Sequence, residues 1–141
     1  MKLVRWLLAG AGDIATRRVA PALRDTEHSE IVSICDVVPE KADALAEKMQ
    51  VKTVYYDYER ALAESEANAV YIAAPVSVHV DMCLKALKAN KHLLCEKPLG
   101  LNGAECLNLL DVVRKSDRIT SCSNYRLLSE QLKATERIIK N

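Results

Sequence analysis

The sequence predicts an α/β fold, a doubly wound parallel sheet with helices on both faces. Three observations predict it. Short apolar runs alternate regularly with longer stretches of helical periodicity. The apolar runs, 3–8 and 69–73 among them, show little polar alternation, as strands covered on both faces do. Between the first run and the first helical stretch lies Gly10-Ala11-Gly12-Asp13-Ile14-Ala15, a turn suited to close backbone approach.

Each element follows from its own signals. Residues 3–8 read as a strand. Residues 14–24 read as a helix that Pro21 should kink, because the ring removes an N–H and clashes with the preceding turn. Residues 30–35 form a β-branched strand. The helix over 39–49 opens on Pro39, where a missing N–H costs little. A brief strand at 53–55 precedes Asp57, a cap for a helix to residue 64. A strand at 69–73, a helix at 78–89 and a strand at 91–95 follow. Asn102 with Glu105 reads as a capping box for a helix to residue 115. A strand at 118–122 and a helix at 127–140 complete the βα alternation.

The 141 residues suffice for about one domain, and half of them are hydrophobic, enough for a core. Twenty basic residues balance 19 acidic ones, which gives no electrostatic footprint for nucleic acid. The five cysteines are odd in number and contain no CxxC pair. That argues against a disulfide framework or a metal site and for a reducing cytoplasm. Arg5 interrupts the first apolar run, which falls short of the roughly 7–15 residues of a secretory core. No run approaches the ~18 apolar residues of a membrane span, so no membrane partner is expected.

The glycine turn carries the first functional expectation. Gly10 permits a tight turn, Gly12 lets the backbone approach a pyrophosphate, and Ala15 is small where helix meets strand. The helix start, with Asp13 and Ile14, offers free N–H groups to phosphate oxygens. The alternative is a plain βα turn. Asp36 closes the second strand 24 residues after Gly12, near the ~20-residue offset of an acid that accepts both ribose hydroxyls. Such a carboxylate repels a 2′-phosphate, and no Arg adjoins it, which favours NAD over NADP. The alternative for Asp36 is a polar residue closing a strand before Pro39.

Further stretches complete a recognisable set: Val70-Tyr71-Ile72-Ala73-Ala74-Pro75-Val76-Ser77-Val78-His79, then Lys91-His92-Leu93-Leu94-Cys95-Glu96-Lys97-Pro98-Leu99, then Asn124-Tyr125-Arg126. With the glycine turn and Cys35-Asp36, in this order, the chain resembles the Gfo/Idh/MocA family of glucose–fructose oxidoreductase and inositol dehydrogenase. The resemblance runs over nearly the whole chain. It implies a Rossmann domain, here residues 1–123, followed by a second α/β domain that residues 124–141 only begin. It also implies hydride transfer between a nicotinamide cofactor and a sugar, polyol or related carbinol.

By the same resemblance, Lys97 holds the substrate and the nicotinamide ribose. Glu96 and Pro98 shape its surroundings, the Lys97-Pro98 bond is a cis candidate, and residues 74–75 pass under the cofactor. Ala74 departs from the usual Thr there and lacks its hydroxyl. Family enzymes are more than twice this length, and their second acid–base group falls beyond residue 141.

Carbinol oxidation releases a hydride to NAD and a proton to a base or relay, and it needs a positive partner for the developing alkoxide. Lys97, after the fifth strand, stands where open α/β sheets place ligand contacts. Its alternative is a surface lysine in a βα loop. His79 is a cofactor-contact candidate with an equal claim to capping or packing, and Arg126 is balanced between phosphate contact and a helix start. His92 and Cys95 read as structural. Two rival functions stand beside the oxidoreductase reading: a stand-alone, non-catalytic dinucleotide-binding module, and a transferase using another adenosine cofactor. A homo-oligomer is expected from uncovered apolar surface.

Overall fold

The computed structural model describes residues 2–125 and 129–140. Six strands alternate with helices along the chain: β1 (Val4–Ala9), a π-helical turn (Ala15–Val19) running into α1 (Ala20–Asp25), β2 (Ser29–Cys35), α2 (Pro39–Met49), β3 (Val54–Tyr55), α3 (Tyr58–Glu64), β4 (Ala69–Ile72), α4 (Val76–Lys88), β5 (His92–Glu96), α5 (Gly103–Val113), β6 (Thr120–Ser123) and α6 (Glu130–Lys140). The strands form one parallel sheet in the order β3-β2-β1-β4-β5-β6. The order reverses between β1 and β4, which opens a crevice at their carboxyl ends.

Successive residues of the central strands feed opposite faces, so two cores form. Leu7, Val70, Ile72, Leu93 and Cys95 pack with Leu62 of α3, Cys83 and Leu87 of α4 and Leu109 of α5. Leu8, Ile34 and Tyr71 pack on the other face with Val19, Ala20 and, from α2, Ala42, Leu45 and Met49. Side chains of this kind contribute roughly 1.5–3 kcal/mol each when withdrawn from water. Burial on both faces explains the unbroken apolar runs, and the doubly wound expectation holds.

Local differences have local causes. The predicted kink at Pro21 is replaced by the π-helical turn, in which the Ala20 N–H donates to the Ala15 carbonyl. In a regular α-helix the Pro21 ring would meet the carbonyl four residues back, and the widened turn relieves that contact. Pro21 itself sits at the start of α1, where its missing N–H is harmless. Helix α4 begins earlier than predicted, at Val76, because Pro75 caps it with extended backbone. The Asn102 side chain accepts the Glu105 N–H at 3.0 Å, and the Glu105 carboxylate reaches back to the Leu101 N–H at 3.0 Å. The box therefore closes one residue further out than the standard pattern.

Candidate functional site

Every segment singled out by sequence leaves the carboxyl end of a strand. The glycine turn follows β1, Asp36 follows β2, Ala73 to Pro75 follow β4, and Lys97 follows β5. A cleft of about 600 Å³ opens over the first three, lined by Gly10, Gly12, Asp13, Ile14, Asp36, Ala74 and Pro75. Val37, Val38, Val78 and Met82 add apolar surface to its lining.

The two glycines differ in their reasons. Gly10 has φ +101, and a Cβ there would stand 2.5 Å from the Ala73 carbonyl oxygen. Gly10 is thus required by the chain's own packing between β1 and β4. A Cβ on Gly12 would meet nothing within 4 Å. The fold itself makes no steric demand for glycine at Gly12, which lines the cleft.

Asp36 is tied into the turn. Its Oδ2 accepts the Ala11 N–H at 2.7 Å, and its Oδ1 accepts the Val38 N–H at 2.9 Å. The Gly10 N–H donates to the Cys35 carbonyl at 2.8 Å, so β1 and β2 hold the glycine turn and the acid in one rigid register. Each carboxylate oxygen keeps further acceptor capacity. Beside it the Cys35 thiol is pushed up to about 12, first by burial and then by the charges of Asp36 and Asp57.

At the end of β5 the polar groups turn inward. Glu96, 7% exposed, accepts the Tyr71 hydroxyl at 2.8 Å and the Lys97 N–H at 3.2 Å. Ser123 Oγ lies 3.2 Å from the same Tyr71 hydroxyl. Burial first, with the bond to Glu96 adding, raises the Tyr71 phenol above its ordinary value. Glu96 is therefore committed to holding the strand end. Lys97 is exposed, and the Lys97-Pro98 peptide is cis. His79 is buried, with Nε2 2.7 Å from the Ala74 carbonyl and Nδ1 2.9 Å from the Pro98 carbonyl.

The geometry brings Gly10, Gly12, Asp13, Ile14, Asp36, Ala74 and Pro75 into one cleft. His79, Glu96 and Lys97 do not line it, and they meet at the neighbouring end of β5 instead. Arg126 lies outside the described residues. Sequence reasoning passed over Lys41, Tyr58, Asp81, Met82 and Lys85, which also line the cleft. The α4 contributors Val78, Asp81, Met82 and Lys85 recur at three- and four-residue spacing, a signal present in the sequence. Among the described residues no cluster of metal-ligating side chains forms, and no helix is long and apolar enough to cross a membrane.

The chain is 37% identical over 125 residues to dTDP-3,4-didehydro-2,6-dideoxy-alpha-D-glucose 3-reductase of Streptomyces violaceoruber, covering 89% of this chain and 36% of the reductase. It is 29% identical over 112 residues to inositol 2-dehydrogenase of Salmonella paratyphi B, covering 79% of this chain and 33% of that enzyme. Among solved structures, a 3-ketoreductase from Actinomadura kijaniata in complex with TDP-benzene and NADP superposes with a TM-score of 0.91. That match has 27% identity and covers 99% of this chain and 44% of the ketoreductase. Scyllo-inositol dehydrogenase from Lactobacillus casei, with bound NAD(H) and scyllo-inositol, shares the fold at 20% identity. Its TM-score is 0.91, with 99% of this chain and 41% of that chain covered. The chain thus spans about a third of the length of the curated relatives it matches. The model of an oxidoreductase family with an NAD-binding Rossmann fold matches residues 4–124, and the chain belongs to that Gfo/Idh/MocA family.

Proposed function

We propose that this chain binds NAD in the cleft at the β1/β4 switch point. It then serves as the nucleotide-binding portion of an oxidoreductase acting on a sugar, polyol or related carbinol. The observation that carries the reading is the open space at the Gly12 Cβ position, beside a fixed Asp36 carboxylate. A pyrophosphate needs that space, and the first-turn amides after Gly12 lack intrahelical acceptors and are available to its oxygens. The open cleft, its apolar lining and the carboxylate together fit a dinucleotide.

In this reading Asp36 accepts the adenosine ribose hydroxyls and disfavours a 2′-phosphate, so NAD is preferred over NADP. Val37, Val38, Val78 and Met82 enclose the base. Ala74 and Pro75 pass beneath the cofactor and contact it through backbone, since Ala74 offers no hydroxyl. The cofactor, when bound, supplies the hydride acceptor or donor. Lys97 donates a hydrogen bond to the reacting carbinol oxygen and takes part in moving its proton. Glu96 keeps the β5 end in place through Tyr71 and the Lys97 N–H. Residues 1–123 form the dinucleotide-binding domain and 124–141 the start of a second domain. Arg126 is assigned to the cofactor or substrate side of that junction. The free thiols fit a reducing cytoplasm.

Titration with NADH and then NADPH, followed by nicotinamide fluorescence, tests the cofactor reading. NADH binding with clear preference supports it, equal binding removes Asp36 as the discriminator, and no binding of either overturns it. Hydride transfer is tested by polyol oxidation in the protein that carries this chain, where Lys97→Met abolishes turnover. An unchanged kcat in that variant removes Lys97 from the mechanism.

A further inference from the structure

His79 occupies an unusual position in α4. It is 2% exposed, in the first turn of the helix, and it is the only buried histidine among the described residues. Its two ring nitrogens face two backbone carbonyls on two different loops. Nε2 lies 2.7 Å from the Ala74 oxygen after β4, and Nδ1 lies 2.9 Å from the Pro98 oxygen after β5. A ring carrying both protons donates to both carbonyls, whereas a ring carrying one serves only one of them.

The loop after β5 has few other polar ties among the described residues. Pro98 has no N–H to donate, and the Lys97 N–H is satisfied by its neighbour Glu96. Residues 97–100 make no backbone–backbone hydrogen bond among the described turns and loops. Leu99 packs against the core, and the contact between the Pro98 carbonyl and His79 adds a polar tie from the segment that carries Lys97 to α4. The loop after β4 receives the second half of the same tie, at the carbonyl of Ala74, which lines the cleft.

We infer that His79 is a positioning residue: a strap whose ring spans the Lys97–Pro98 and Ala74–Pro75 segments, donating to both carbonyls when it carries two protons and to one of them when it carries one, without itself touching the ligand. This rests on the cofactor reading of the cleft above. It places the dependence on His79 at the nicotinamide and Lys97 end, because the glycine turn and Asp36 are held by separate bonds from β1 and β2.

The two halves of the strap can be separated. An asparagine amide nitrogen falls near the Nδ1 position and a glutamine amide nitrogen near the Nε2 position. Backbone amide resonances of the chain, followed by NMR, read the result without any cofactor. His79→Leu moves the signals of Ala74 and of Lys97, Leu99 and Gly100, and leaves those of Ala11 and Gly12 in place. His79→Asn restores the Lys97 side and His79→Gln the Ala74 side; these two variants keep the test open should His79→Leu fail to fold.

In the same samples, ADP affinity stays within about twofold in His79→Leu, while NADH affinity falls about tenfold. Unmoved Lys97 and Gly100 amides in His79→Leu overturn the strap, as does an equal loss of ADP and NADH affinity. A wild-type chain that binds no NADH refutes the cofactor reading and leaves the amide result standing.

Discussion

Gly10 and Ala73 lie backbone to backbone, so that a Cβ on Gly10 would stand 2.5 Å from the Ala73 carbonyl oxygen. The turn after β1 is pressed against the loop after β4 by this contact. The glycine two residues on is under no such pressure. The pair separates folding from binding within one motif.

Gly10→Ala combines a positive φ with a backbone clash, and it lowers stability by about 3 kcal/mol or more. Gly12→Ala leaves stability within about 0.5 kcal/mol, since its methyl group enters open space. It weakens NADH binding at least about tenfold, because the methyl group occupies the pyrophosphate approach. Urea denaturation and NADH titration on the two variants check this. A Gly12→Ala chain with wild-type affinity would remove the cleft from the cofactor reading.

Asp36→Ala removes the acceptor of the Ala11 and Val38 amides and the charge that repels a 2′-phosphate. Stability falls by about 1–2 kcal/mol as the two amides lose their partner. The ratio of NADPH to NADH affinity rises, helped by Lys41, which stays in the cleft wall. Paired fluorescence titrations measure the ratio, and an unchanged value would show that discrimination lies elsewhere.

Tyr71→Phe takes a donor from the buried Glu96 carboxylate. The cost is about 1–3 kcal/mol, the price of leaving a buried charged acceptor short of a partner. The variant's denaturation midpoint falls, and Ser123→Ala in the same background adds little, because both side chains serve one network. Additive losses would show that they act independently.

Cys35 shares the alkaline loss of stability with Cys95, Cys122, Tyr58 and Tyr71, which are all raised as well. The folded-state value of Cys35, about 12, lies above the ordinary 9.0, first because of burial. A group raised on folding contributes stability that is intact below its unfolded value and lost as pH rises through the folded one. The chain therefore loses stability progressively from about pH 9 towards pH 12, and Cys35→Ala flattens that slope. Denaturant midpoints recorded across this range in both proteins give the comparison; parallel slopes would exclude the thiol as a contributor.

Apolar residues remain open on α5, at the start of β6 and on α6: Leu107, Ile119, Ile138 and Ile139 are all more than 60% exposed. Isolated exposed hydrophobics are ordinary, but Ile138 and Ile139 stand side by side on α6, which favours association. Light scattering at rising concentration should show a mass above that of one chain, and Ile138→Lys should reduce it. A constant single-chain mass would refute the expectation.

The sequence by itself determined the βα order, the doubly wound class and the residues at the strand ends. These depend on signals confined to a few neighbouring positions. Burial on both faces demands unbroken apolar runs such as that around Ile72, and a turn against another backbone demands glycine at Gly10. The carboxylate after β2 was legible for the same reason, since strand register fixes its place beside the turn. Tertiary structure alone decided the rest. Only the β4–β5 pairing brings Tyr71 to Glu96, and only the packing of α4 on the sheet sets His79 between two carbonyls. Nothing in the spacing of His79 distinguished a cofactor contact from a buried tie, because its partners, Ala74 and Pro98, are backbone oxygens that carry no sequence signature. The π-helical turn ahead of Pro21 was equally hidden. A proline forbids the regular helix, but whether the chain kinks or widens depends on what Ala15 and Val19 pack against.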